Sequence, residues 1–257
     1  MAEETSSGDI QAVARVAQIL GLFTPQRPTV TAAQAAQLIG LNRSTASRYL
    51  ASLESAGLLR RNAETSSAFE PSLGLVQLGA FALGRAPVTT AAPPAMRRLS
   101  LHTGHTVSLT VWGTSGPVVV HTENSAEWRA SVSVRIGAQL PMNAAQTRVW
   151  LAFLDDPGLA EQFLDTLDDD AERERARADL DRIREGAMMH RVANNGVSVF
   201  AAPVFDSRGI CACLGLLATT TEMPLEGSTA QAEALEATAR GLTDQLGGRW
   251  APGIVEA

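Results

Sequence analysis

TAAQAAQLIGLNRSTASRYLASLESAGLLRR, residues 31–61, is the stretch on which the reading of this chain turns. Thr31 is placed to cap a helix built on Ala35, Ala36, Leu38 and Ile39. Gly40 supplies a turn, and Asn42 caps a second helix with an apolar stripe of Tyr49, Leu50, Leu53 and Ala56. The opposite face of that helix carries Arg43, Ser44, Thr45, Ser47 and Arg48. Two helices around a tight turn, the second bearing hydrogen-bonding side chains and guanidinium groups near its start, are what a major groove accepts. Gly57 ends the helix, and Leu58-Leu59-Arg60-Arg61 begins a hairpin closed around Asn62–Ser67. The pattern predicts a winged helix-turn-helix that contacts DNA. Its candidate contact residues are Thr31, Asn42, Arg43, Ser44, Thr45, Ser47 and Arg48, with Arg60 and Arg61 on the wing. Arg60 and Arg61 alternate across a strand, so one of them is expected to face the duplex.

The net charge of −6 runs against DNA binding until it is divided along the chain. Residues 10–62 hold six arginines (Arg15, Arg27, Arg43, Arg48, Arg60 and Arg61) against one acid, Glu54, whereas residues 86–257 hold 14 arginines against 21 acids. Positive charge is therefore concentrated where a small N-terminal DNA-binding module needs it. All 21 basic residues are arginine, the side chain suited to bidentate phosphate and guanine contacts. With 257 residues, 45% of them hydrophobic, the chain can build two cores. No apolar run approaches the roughly 20 residues of a membrane span. The start, MAEETSSGDI, is polar and acidic, unlike a signal peptide, and the two cysteines imply no disulfide framework. A cytoplasmic protein is expected.

The expected organisation is a disordered tail over residues 1–8, a winged helix-turn-helix domain over 9–70, a linker helix over 71–86 and a second domain over 87–257. The first helix, about 10–23, carries Ile10, Val13, Val16, Ala17 and Leu20 at helical spacing. Pro71 opens the linker helix, whose Leu73, Val76, Leu78, Phe81 and Leu83 are expected to be buried against a core or a partner subunit. From a start of the second domain near Pro87, Pro94–Thr103 continues a helix, and Gly104 stops it. Strands are expected at residues 106–111, 118–122, 197–204 and 210–218, and helices at 146–154, 172–186 and 227–246, with Gly247-Gly248 releasing the tail. The 172–186 helix is crowded with charge, which reads as a solvated face with i,i+4 ion pairs. Hairpins flanked by helices make an α+β domain.

Taken in order, these segments resemble the IclR family of bacterial transcription regulators over nearly the whole chain. GLNRSTASRYLASLESAGLLRR (40–61) is followed by FEPSLGLVQLG (69–79), similar to the family's linker start. SVRIGAQLPMNAA (133–145) resembles its R-x-G-x-x-x-P approach to an effector pocket, and NNGVSVFAAPVFDSRG (194–209) resembles its most specific hairpin. The resemblance implies an α+β fold in which the winged helix-turn-helix is joined by a linker helix to a GAF-like antiparallel-sheet domain. It also implies a homodimer or dimer of dimers on a double-stranded operator, with a small organic or aromatic acid as effector. Carried onto this sequence, the pocket would draw on Leu140, Met142, Ala145, Gln146, Thr147, Arg148, His190, Cys213, Gly215 and Leu217.

The chain departs from the family there. Arg148 and Val149 stand where the family has Gly and Lys, His190-Arg191 replaces an acidic stretch, and Gly215 and Leu217 replace hydroxyl side chains. Arg148 either pairs with an anionic ligand or fills the cavity.

Little in the sequence suggests catalysis. It has no phosphate-binding glycine loop, no G-x-S-x-G elbow and no Cys/His pair. His102, His105, His121 and His190 lack metal-ligand spacing, and no cofactor is expected. Cys211 and Cys213, two apart on a strand, are expected to point to one face. The reading is a DNA-binding regulator, a repressor in its simplest form, and not an enzyme. Its rivals are a regulator with a degenerate pocket governed by a partner protein or by abundance, and a GAF-like enzyme with a vestigial DNA-binding head.

Overall fold

In the computed structural model, which describes residues 10–114, 116–124, 132–185, 189–192, 196–224 and 228–250, the chain divides into two units, Met1–Arg85 and Ala86–Ala257. The tail expected over residues 1–8 lies outside the described residues.

In the first unit α1 (Gln11–Leu20), α2 (Ala32–Ile39) and α3 (Arg43–Ser55) enclose a core of Ile19, Val30, Ala35, Ala46, Leu50, Leu53, Leu59 and Phe69. Both capping assignments hold. The Thr31 hydroxyl accepts the Gln34 N–H at 3.3 Å while Gln34 Oε1 accepts the Thr31 N–H at 2.9 Å, a reciprocal box. Asn42 Oδ1 accepts the Thr45 N–H at 2.7 Å. Gly40 takes the left-handed conformation (φ 67°) that the sharp turn between α2 and α3 requires. The stripe of α3 is Ala46, Leu50 and Leu53, with Tyr49 half-buried and Ala56 exposed, so the buried face is rotated from the one expected. The wing gains a strand: β1 (Val30–Thr31), β2 (Leu59–Arg61) and β3 (Ala68–Pro71) form an antiparallel sheet in the order β1-β3-β2.

Pro71 closes β3 rather than opening a helix. Ser72 caps α4 (Leu73–Gly84), and its hydroxyl also bonds the Gly57 carbonyl. The expectation that the apolar side chains of α4 are buried fails within one chain. Leu73, Val76, Leu78, Phe81 and Leu83 are all exposed, Phe81 by 66%. Apolar residues surround this helix, so no single face of its own unit can bury them.

The second unit is a five-stranded antiparallel sheet in the order β5-β4-β8-β7-β6. Its strands are β4 (Thr106–Gly113), β5 (Gly116–Glu123), β6 (Met189–Val192), β7 (Val197–Asp206) and β8 (Gly209–Thr219). On one face α5 (Pro87–Thr103) and α9 (Thr229–Gln245) cover Val107, Leu109, Phe200, Val204, Leu214 and Leu216. On the other face α6 (Ala145–Phe153), α7 (Pro157–Asp165) and α8 (Asp170–Arg184) pack Val149, Trp150, Phe163, Leu180 and Ile183 around Ala201 and Cys213.

Four expectations need correction here. The α5 helix begins at Pro87 and contains Pro93 and Pro94. The bonds these prolines forgo toward the preceding turn are tolerated at an exposed and a half-exposed position. The ion pairs along α8 are i,i+3 (Arg173–Asp170, Arg177–Glu174, Arg182–Asp179 and Arg184–Asp181), and the helix also buries Ala176, Leu180 and Ile183. Gly247 and Gly248 do not release the chain: Gly247 bridges to Asp206, and Trp250 stacks edge-on against Phe205 at 6.1 Å. Cys211 and Cys213 face opposite layers, because a register shift after Val204 leaves Cys211 unopposed and reverses the alternation.

Candidate functional site

The exposed surface of α3 presents Arg43, Ser44, Ser47 and Arg48, with Thr45 half-exposed. What separates the arginines of this unit is whether they are already engaged. Arg15 reaches Gln18 (2.9 Å), and Arg27 donates to the Leu22 carbonyl (2.6 Å). On the wing, Arg60 pairs with Glu70 at 2.7 Å. Arg61 pairs with Glu54 at 3.3 Å, donates to the Ser66 carbonyl at 2.9 Å and lies 4.2 Å above the Phe69 ring. Among the described residues, Arg43 and Arg48 make no ion pair or hydrogen bond. Both wing arginines are exposed, and their charge is already matched by Glu70 and Glu54. Thr31 and Asn42 use their side chains as caps. They position α2 and α3.

Further along α3, Thr45, Arg48, Tyr49 and Ser52 line a cleft of about 320 Å3. Tyr49 and Ser52 are not among the contact residues expected from sequence. The i, i+3, i+4, i+7 spacing was the available signal, but Tyr49 reads as core when only hydrophobic periodicity is followed.

In the second unit, the residues expected around a ligand gather between α6 and the sheet, but several are bound to one another. The Ser108 hydroxyl donates to Gln146 Oε1 (3.1 Å), and Gln146 Nε2 donates to the Cys213 carbonyl (3.1 Å). Trp150 Nε1 donates to the Thr110 hydroxyl (3.1 Å), which in turn donates to the Cys213 carbonyl (3.3 Å). Gly215 makes room for this network, since a Cβ there would stand 2.6 Å from Gln146 Oε1. The Thr147 hydroxyl donates to the Pro141 carbonyl at 2.9 Å. Arg148, 3% exposed on its side chain, forms an ion pair with Asp179 of α8. The alternative left open by the sequence is thus met by the chain's own carboxylate. Leu140 and Met142 are half-buried, Leu217 and Ala145 are buried, and the side chain of His190 lies outside the described residues.

Burial pushes the Cys213 thiol well above its usual range, and it pushes Cys211 up to about 12, with Asp206 adding to the shift. Both thiols stay protonated at neutral pH, which leaves neither as a nucleophile.

Thr106 is 1% exposed, and among the described residues its hydroxyl has no hydrogen-bond partner. It stands on the face of β4 that carries Ser108 and Thr110. Gln146 lies over Ser108 and Trp150 over Thr110, so α6 runs along β4 and its first turn is directed toward Thr106. That turn has no side-chain cap, and among the described residues nothing accepts the N–H groups of Ala145, Gln146 and Thr147. A buried hydroxyl and an uncapped helix N-terminus thus lie on one face of the sheet, and groups of this kind favour an oxygen acceptor. Among the described residues no group of three His, Cys, Asp or Glu side chains could hold a metal ion, and no helix is long and apolar enough to cross a membrane.

Two family models match the chain: the IclR helix-turn-helix domain over residues 12–63, and the bacterial transcriptional regulator IclR C-terminal domain over residues 80–244. The DNA-binding transcriptional repressor YiaJ of Escherichia coli (strain K12) is 25% identical over 228 residues, which is 84% of this chain and 80% of the relative. An IclR transcriptional regulator from Silicibacter sp. TM1040 shares the fold with a TM-score of 0.83 at 20% identity, covering 95% of this chain and 99% of its own. An IclR homologue from Microbacterium hydrocarbonoxydans, complexed with 4-hydroxybenzoate, does so with a TM-score of 0.72 at 20% identity, covering 91% and 98%.

Proposed function

The chain belongs to the IclR family of bacterial transcription regulators, and on that footing we propose that it is a cytoplasmic repressor whose hold on an operator is set by a small organic or aromatic acid. The DNA-binding regulator is the family's activity; the sign of regulation, the ligand and the residues are our reading. The observation that carries it is the contrast among the arginines of the first unit. Arg43 and Arg48 of α3 are without protein partners among the described residues, while Arg60 and Arg61 are matched by Glu70 and Glu54. A cation left unmatched on the helix of a winged helix-turn-helix is available to guanine edges or phosphates.

In this reading residues 9–70 are the DNA-binding head, 71–86 the linker helix and 87–257 the sensor. The exposed apolar surface of α4 supports a homodimer, since five large hydrophobic side chains on 12 residues call for a cover. Two heads then meet half-sites about 34–36 Å apart, or a multiple of that spacing. The acid would set an oxygen between Thr106 and the first turn of α6, and 4-hydroxybenzoate in a structural neighbour is of this chemical kind. A ligand shifts DNA affinity only through its different affinity for the two dispositions of the heads. Repression by occupancy is the simplest result, and the YiaJ relative is a DNA-binding transcriptional repressor by name. The Arg148–Asp179 pair supports a second reading, in which the ligand site is closed and a partner protein governs the regulator.

Fluorescence anisotropy on DNA from the region upstream of the gene, with a scrambled duplex as control, tests the first claim. Binding at least ~10³ tighter than to the control is expected at physiological salt. Equal, steeply salt-dependent binding to both would leave only a basic module, and no specific regulation of that region.

The sensor is tested through Thr106. An unsatisfied buried hydroxyl costs about 1–3 kcal/mol, so Thr106→Val is expected to raise the melting temperature of the ligand-free protein, at roughly 2–4 °C per kcal/mol. The same variant should lose release from DNA by 4-hydroxybenzoate or its smaller carboxylate analogues. A lowered melting temperature would mean that the folded protein satisfies this hydroxyl by itself, and that no ligand is needed there.

A further inference from the structure

We infer that the cleft of Thr45, Arg48, Tyr49 and Ser52 is the seat of one backbone phosphate of duplex DNA, with the Tyr49 and Ser52 hydroxyls as its neutral donors. This rests on the DNA-binding reading and deepens it. The cleft encloses about 320 Å3, enough for a phosphate group, and each of its four lining side chains carries a donor. Among the described residues none of those four side chains makes a hydrogen bond or ion pair. A guanidinium can only donate and three hydroxyls can, whereas a phosphate oxygen can only accept. The major-groove edge of a base pair mixes donors with acceptors, and the guanidinium can use only the acceptors.

Position along the helix agrees. Ser44, at the base-reading end of α3, and Ser52 are eight residues apart, about 12 Å at 1.5 Å per residue. The major groove is also about 12 Å wide. When the start of α3 meets base edges, the Ser52 end of the cleft therefore lies toward the flanking backbone. The Tyr49 ring packs against the core of its unit, so its hydroxyl is held in place before DNA arrives. A rigid donor of this kind fixes the register of the helix in the groove.

The test uses the full-length protein and the upstream duplex that it binds, with single methylphosphonates replacing each phosphate of a half-site in turn. Ser52→Ala and Tyr49→Phe are each expected to weaken binding about tenfold. They should leave the salt slope unchanged, because no charge is removed, while Arg48→Ala lowers it by roughly 0.9. At one phosphate, the methylphosphonate should cost each variant less than it costs the wild type, because one donor to that phosphate is already gone while Arg48 remains. Ser52 is exposed, so its variant is not at risk of misfolding. Additive losses at every phosphate, or wild-type affinity in both variants, would overturn the assignment. A wild type that binds no duplex would defeat the DNA reading itself, and the cleft with it.

Discussion

Asp179→Ala is expected to lower the melting temperature by roughly 6–20 °C, the consequence of losing about 3–5 kcal/mol when one partner of a buried ion pair is removed. The Arg148 guanidinium is 3% exposed on its side chain and Asp179 is 14% exposed, so water cannot take over the role of the carboxylate. Arg182 shares Asp179 but is 68% exposed, and it gives up little when the acid is lost. Removing both charges is a different experiment. Arg148→Met with Asp179→Leu should recover most of the loss, because a well-packed apolar pair is often as stable as the ions it replaces.

The single variant also reports on function. With the carboxylate gone from beside Arg148, Asp179→Ala should be stabilised by added acetate or formate, by RT ln(1 + [L]/Kd), more than the wild type is. A loss under about 1 kcal/mol would show that solvent screens the pair. In that case the second reading of the sensor, closed by its own carboxylate, would lose its support.

That pair also shows where sequence reasoning stops. The winged helix-turn-helix was legible because its determinants are local: Thr31 and Gln34 form one box, Asn42 and Thr45 one cap, and Gly40 one turn, each within three residues. The sequence leaves Arg148 between two outcomes because its partner lies 31 positions away on another helix. The pairing of the wing arginines is hidden for the same reason, since Glu54 and Glu70 reach them only once α3 and the hairpin are folded. The bulge that turns Cys211 away from Cys213 depends on the register of β7 against β8, which neither strand encodes alone. For α7, by contrast, the signal was present and unread: Asp156 caps it, and Pro157 stands at its first position. The apolar run of α4 reads as buried, and hydrophobicity cannot say whether the cover comes from the same chain. Thr106 carries no signal in the sequence, because a hydroxyl on a strand is ordinary until its surroundings are known to be dry.

Arg43 and Arg48 should fail in different ways, and this difference is the sharpest test of how α3 meets DNA. They are five residues apart, which places them about 140° apart around the helix, so a single base edge cannot engage both. Arg43 is in the first turn, where recognition helices reach the bases. Arg43→Ala is expected to cost about 1–3 kcal/mol on the preferred duplex and much less on one whose contacted guanine has been changed. Arg48 faces the phosphate cleft, so Arg48→Ala should weaken binding to all duplexes alike, with a shallower salt dependence. Arg60→Ala and Arg61→Ala give the internal standard. Their charges are balanced by Glu70 and Glu54, so smaller effects on DNA are expected, and Arg61→Ala should also loosen the wing by removing its bond to Ser66 and its contact with Phe69. Titrating the four variants on matched and mutated duplexes at several salt concentrations separates these cases. If Arg60→Ala cost more than Arg43→Ala, the wing would be the reading element and α3 only its support.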